Sequence, residues 1–138
     1  MGKIISFVNQ KGGVGKTTSA VNVAACLGVL GYRTLLIDLD PQGNATTGVK
    51  IAKKNLKYTV CDLLTGNINA ADAVIQTEYD KLWVMPANGR LANTEFELYN
   101  GEEPVFVMRK ALESLKTVFD YIIVDLSLIH ISEPTRPY

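Results

Sequence analysis

Histidine and tryptophan are almost missing from these 138 residues, one of each, and only two cysteines are present. The single histidine, His130, stands close to the end of the chain, so no histidine pair is available for metal binding or proton relay. Cys26 and Cys61 are far apart and lack the short spacing of metal-ligand cysteines. Cys26 falls in an apolar stretch and is expected to be a small buried hydrophobe. Reduced thiols in a cytosolic protein are the simplest account of both. Long apolar runs are also lacking: nothing approaches the roughly 20 residues that span a bilayer. The run Ile4–Val8 stops at Asn9 and Gln10, so no signal-peptide core is visible. There is no charge excess either, with 14 basic and 14 acidic residues, so the chain as a whole is no polycation built to coat nucleic acid. The balance hides an asymmetry: residues 1–60 carry eight Lys/Arg and two acids, residues 61–138 six and twelve. Lys50, Lys53, Lys54 and Lys57 form the densest basic cluster, read here as a solvated surface.

What is present is the pattern of one α/β domain. Ile4–Val8, Thr34–Ile37, Leu82–Met85 and Tyr121–Val124 are nearly continuous runs of apolar and β-favouring residues. That is the signature of parallel strands covered on both faces. Thr17–Leu30 is apolar almost all round and precedes Gly31, as a buried crossover helix with a C-terminal glycine would be. Strand, glycine loop, helix and strand in this order make a βαβ unit. Thr59 and Asp62 have the spacing of a capping box for a short helix through Leu64, with Gly66 to end it. Helices are also expected at Ala70–Thr77, Leu91–Tyr99 and Val105–Phe119. The last aligns Val105, Met108, Leu112, Leu115 and Phe119 on one core-facing stripe.

Three stretches carry chemistry. Between the first strand and first helix runs Lys11-Gly12-Gly13-Val14-Gly15-Lys16-Thr17-Thr18. Glycines let backbone N–H groups wrap a phosphate without Cβ clashes, and the helix N-terminus adds partial positive charge. In such a loop Lys16 reaches the β- and γ-phosphates of ATP and the Thr17 hydroxyl ligates Mg²⁺. The ordinary pattern has a glycine where this chain has Gln10, so the strict motif fails. The second stretch is Asp38-Leu39-Asp40-Pro41-Gln42-Gly43-Asn44-Ala45-Thr46, at the carboxyl end of the second strand, where α/β sheets place their ligands. Asp40 is the candidate for orienting the attacking water, with Asp38 supporting the Mg²⁺ shell; an Asp-Pro pair also suits a plain turn. The third is Asp125, closing an apolar strand in the position of a Mg²⁺-binding acid; a loop acid is the alternative.

The departure at the loop resembles the deviant Walker A motif of the ParA/MinD/nitrogenase-iron-protein group of P-loop ATPases. Asn9-Gln10 before the loop, the run Asp38–Thr46 and Met85-Pro86-Ala87-Asn88 resemble the ParA/Soj branch over Met1–Asp125. The resemblance implies a P-loop NTPase fold, a mainly parallel sheet with helices on both faces. It also implies that Lys11 reaches across a nucleotide-sandwich homodimer to the partner's phosphates, with Gly12 at the close approach of the subunits. It further implies a cytoplasmic, nucleoid-associated ATPase for chromosome or plasmid segregation. ATP drives dimerisation, the dimer binds DNA nonspecifically, and a ParB/Spo0J-like partner stimulates hydrolysis. No membrane partner is expected. A MinD-like membrane-cycling ATPase and an ATP-gated DNA clamp remain alternatives. With the loop beginning at Lys11, the small members without an N-terminal operator-binding domain are the nearer match. The family's later strands and most of its DNA-contacting residues belong to a C-terminal half beyond Asp125, so the chain alone is expected to be poorly soluble or incompletely folded.

Leu126–Tyr138 is set apart. Leu126–Arg136 matches what one reading frame of a transposon-end sequencing adaptor encodes, and 126–138 is read as a non-native read-through tail outside the ATPase domain 1–125.

Overall fold

The computed structural model describes residues 2–9, 14–65, 68–88 and 103–127. Five strands form one sheet: β1 (Lys3–Asn9), β2 (Thr34–Leu39), β3 (Ile75–Gln76), β4 (Leu82–Met85) and β5 (Tyr121–Ser127). Their order is β1-β5-β2-β4-β3. The first four are parallel, and β3 joins antiparallel at the edge. The expected strand–helix–strand unit is present, but β1 and β2 are not neighbours, because β5 lies between them and pairs with both.

Side-chain alternation along the strands divides the core in two. Leu35, Ile37, Ile122, Val124 and Met85 pack on one face with α3 (Val60–Leu64) and with α4 (Glu103–Leu115). Leu36, Ile123, Leu82 and Val84 face the other way, against α1 (Val14–Val29) and α2 (Asn44–Gly48). Helices therefore cover both faces, and each buried Leu or Ile contributes about 1.5–3 kcal/mol relative to exposure. The same parity that turns Leu36 and Ile123 toward α1 carries on to Asp38 and Asp125, which are paired in register. Those two carboxylates thus share a face and an end of the sheet.

α1 buries a single stripe, Thr17, Ala20, Ala24 and Gly28, at helical spacing. It is not buried all round, and Cys26, expected inside, is exposed because it points away from that stripe. Gly31 ends the helix as expected, with φ 100° and its N–H on the Gly28 carbonyl. The capping box at Thr59 and Asp62 is formed: the Thr59 N–H donates to Asp62 Oδ2. Gly66 lies outside the described residues. Ala70–Thr77 is not a helix: Ala70–Ala73 makes one 3₁₀ turn, then Ile75–Gln76 pairs with β4. The β-branched Val74 and Ile75 favour the extended chain there. α4 stops at Leu115, and Phe119 reaches the core from the turn that follows. Leu91–Tyr99 falls outside the described residues, as does the side chain of Val105. The strand expected to stop at Val124 continues through Ser127, and Leu126 packs partly buried against the core.

β1 ends the strand order with one edge open among the described residues. Ile4 and Ile5, on opposite faces, are each 39% exposed, and Val8 is 50% exposed.

Candidate functional site

β1, β5 and β2 run parallel, so their carboxyl ends converge where α1 begins. The P-loop segment bridges β1 and α1. Of it, Lys11, Gly12 and Gly13 lie outside the described residues. Val14, Gly15 and Lys16 form the first turn of α1, without a description of their side chains, and Thr18 is exposed. Thr17 is buried, and its Oγ1 donates to Asp125 Oδ2 at 3.1 Å across 108 residues of sequence. A hydroxyl from the first turn of the helix and a carboxylate from the end of β5 are thereby brought into contact.

Asp38 sits beside Asp125 on β2 and is fully buried. Its Oδ2 accepts both the Thr46 N–H at 2.8 Å and the Thr46 hydroxyl at 2.6 Å, and its Oδ1 accepts the Asp40 N–H at 3.1 Å. Burial pushes the Asp38 carboxyl up to about 7. The hydrogen bonds from Thr46 and Asp40 oppose that rise, and the neighbouring Asp125 adds to it.

Asp40 is nearly buried in a tight turn. Its Oδ1 accepts the Gln42 N–H at 3.0 Å, its Oδ2 the Asn44 amide at 3.2 Å, and its carbonyl the Gly43 N–H at 2.8 Å. The turn-forming role open to an Asp-Pro pair is thus realised, and it fixes the carboxylate in place beside Asp38. Gly43 adopts φ 66°, and a Cβ there would meet the Ala87 carbonyl at 2.7 Å. Lys53 closes the turn from outside, donating to the Gln42 carbonyl at 2.7 Å. This lysine of the basic cluster is therefore tied into the turn and not merely solvated. Lys50 pairs with Glu78 at the surface, 3.3 Å apart.

Thr46 and Asn44 stand within the Asp38–Thr46 stretch, whose sequence pattern by itself assigns neither a task. Asn44 lies four residues after Asp40 and Thr46 eight after Asp38, a local spacing that a turn and short helix would fold back. The Ala87 N–H, which donates to Thr46 Oγ1 at 3.0 Å, carries no sequence signal at all.

Could this set hold a divalent cation? Among the described residues no group of three or more His, Cys, Asp or Glu is placed to do so. The candidates are one hydroxyl, Thr17, and two carboxylates, Asp125 and Asp38. That suits Mg²⁺, which keeps much of its water and takes only one or two carboxylates beside substrate phosphates. Thr17 fits as a direct ligand and Asp125 as a carboxylate reaching the cation through water, since each offers an oxygen at the shared contact. Asp38 already accepts three donors, which fits a supporting place behind Asp125 and not direct ligation.

A family model described as "AAA domain" matches residues 2–129. The sporulation initiation inhibitor protein Soj of Bacillus subtilis is 46% identical over 125 residues, covering 91% of this chain and 49% of the relative. The chromosome partitioning protein ParA of Myxococcus xanthus is 44% identical, covering 91% of this chain and 44% of its own length. The chain therefore spans about half the length of the curated relatives it matches. Among solved structures, cobyrinic acid a,c-diamide synthase from Mycobacterium smegmatis, with bound ATP analog and magnesium, superposes with a TM-score of 0.84. It is 34% identical and covers 92% of this chain and 52% of that one. The mainly parallel sheet is the P-loop NTPase fold that the resemblance implies. With the motif positions, the pairing of Thr17 with Asp125 and these matches in agreement, the chain belongs to the AAA domain family and is of the ParA/Soj type.

Proposed function

We propose that the full-length protein bearing these residues binds ATP·Mg²⁺ at the carboxyl ends of β1, β5 and β2 and hydrolyses it in the service of DNA partition. The observation that carries the reading is the buried contact between Thr17 and Asp125, with Asp38 in register beside it. Backbone N–H groups of the loop Lys11–Gly15 and the N-terminus of α1 hold the phosphates. Lys16 neutralises the β- and γ-phosphate oxygens, and Thr18 flanks the same turn. Thr17 and Asp125, the latter through water, hold the cation, and Asp38 orders the turn behind them. When bound, Mg²⁺ neutralises charge developing on the phosphate oxygens. Asp40, held by Gln42 and Asn44, orients the water that attacks the γ-phosphate. Lys11 delivers positive charge to the partner subunit's nucleotide in an ATP-dependent homodimer, in the manner of an arginine finger.

The partition role rests on likeness to Soj and to the ParA chromosome partitioning protein. On this reading the ATP-bound dimer associates with DNA through phosphate electrostatics, and binding weakens steeply with salt. A ParB-like partner stimulates turnover. Among the described residues no helix is long and apolar enough to cross a membrane. The exposed Ile4, Ile5 and Val8 of β1 support the reading that this chain is the phosphate-binding part of a longer protein.

Two substitutions in the full-length protein test the assignment. Lys16→Ala is expected to abolish measurable ATP affinity. Asp40→Ala is expected to keep ATP binding, and ATP-dependent DNA binding with it, while turnover is lost. A Lys16→Ala protein with unchanged ATP affinity overturns the phosphate site. An Asp40→Ala protein with normal turnover removes Asp40 from the chemistry.

A further inference from the structure

A line of polar contacts crosses the sheet end strand by strand. Thr17 of α1 donates to Asp125 on β5, Asp125 stands in register with Asp38 on β2, and Asp38 accepts from Thr46 on α2. Thr46 in turn accepts from the Ala87 N–H, in the segment leaving β4. Every side chain in this line is buried.

Thr46 is where the line turns from the cation site to the rest of the fold. Its N–H and hydroxyl both end on the same oxygen, Asp38 Oδ2. That fixes the rotation of the carboxylate and leaves Oδ1 facing the Asp40 N–H. The Asp40 backbone is therefore placed by Asp38, and Asp38 by Thr46. The hydroxyl spends its one proton on Asp38, so its lone pair is free to accept from Ala87. Ala87 itself is gripped from several sides. Its carbonyl lies against Gly43, and the preceding Pro86 carbonyl accepts the Val60 N–H that opens α3. One hydroxyl thereby joins the segment after β4 to the Asp40 turn.

We infer that Thr46 is a positioning residue for the reaction: it sets Asp38, through Asp38 the Asp40 turn, and ties that turn to the segment Pro86–Ala87. The inference rests on the ATPase reading given above. It assigns Thr46 no contact with nucleotide, so removing its hydroxyl should act on turnover and not on ATP affinity.

The test uses the full-length protein, with steady-state ATPase assays, ATP titration and urea denaturation of each variant. Thr46→Val keeps the shape and removes the hydroxyl; Thr46→Ser keeps the hydroxyl. Thr46→Val is expected to lower kcat by about tenfold or more, since small misplacements of reacting groups carry such costs, with ATP affinity within about twofold of wild type. Thr46→Ser is expected to restore most of kcat. If Thr46→Val does not fold, Thr46→Ala, which leaves space for a water, takes its place against Thr46→Ser. Wild-type kcat in the hydroxyl-free variant overturns the inference. So does an equal loss in the Ser variant, or a loss of ATP affinity that matches the loss of kcat. A wild-type protein that binds no ATP or never turns it over instead sinks the ATPase reading itself.

Discussion

Replacing Gly43 with alanine puts one carbon where the fold has no room for it. The residue has φ 66°, a conformation costing an alanine roughly 1–2 kcal/mol. The added Cβ would stand 2.7 Å from the Ala87 carbonyl oxygen and 2.8 Å from Lys53 Cδ. Lys53 is the flexible end of a side chain and can swing aside. The Ala87 carbonyl is backbone, and its segment is anchored on one side by Thr46 and on the other by Val60. Relieving such an overlap costs about 1–3 kcal/mol in packed interiors. The loss of unfolded-chain freedom on going from glycine to alanine returns about 0.4–1 kcal/mol. The net expectation is a loss of about 1–4.5 kcal/mol, centred near 3. Urea denaturation of the full-length protein reads it as a lower midpoint at unchanged slope. Because Gly43 directly follows Gln42, whose N–H fixes Asp40, ATP turnover should fall as well. A Gly43→Ala protein within about 0.5 kcal/mol of wild type, the ordinary range for surface changes, refutes the close approach of the two backbones.

Gly28 offers a reversal of sign. In a helix interior Gly→Ala ordinarily stabilises by about 1 kcal/mol, but a Cβ at Gly28 would collide with the Asp80 carbonyl. Gly28→Ala should therefore lower the denaturation midpoint, and a rise would show that α1 does not pack on that turn. Asp38 makes stability depend on pH in protein freed of Mg²⁺ and nucleotide. Its folded value of about 7 lies above the ordinary 3.8, so the folded state holds the extra proton. This contribution is fully present below about pH 4 and is lost as pH rises through about 7, by up to roughly 4 kcal/mol. Asp38→Asn should flatten the wild-type fall between those limits; parallel pH profiles of the two proteins would contradict the burial argument.

Much of the candidate site was legible because phosphate chemistry leaves local marks. Gly13, Gly15, Lys16 and Thr17 follow a strand at the spacing of a phosphate-binding loop, and an acid at a strand end needs only an apolar run before it. The capping box at Thr59 and Asp62 and the stop at Gly31 were equally plain, since each is a contact between residues a few positions apart. Where the reading failed, a neighbour in space outweighed local pattern. Ala70–Thr77 has helix-forming alanines, yet pairing with β4 drew Ile75–Gln76 into the sheet. Cys26 is apolar in an apolar helix, yet only the face toward the sheet was covered.

By itself the sequence determined the four parallel strands, the glycine-rich stretch between the first strand and helix, the acids at the strand ends and the family, because these depend on residue type and short spacing. Only the tertiary structure decided the order β1-β5-β2-β4-β3, which inserts the last strand between the first two. That insertion is what sets Asp125 beside Asp38 and within 3.1 Å of Thr17, 108 residues away. It also decided that Thr46 and Ala87 meet, because a hydrogen bond between a side chain and a distant backbone N–H follows from where the chain returns and leaves no trace in composition or periodicity.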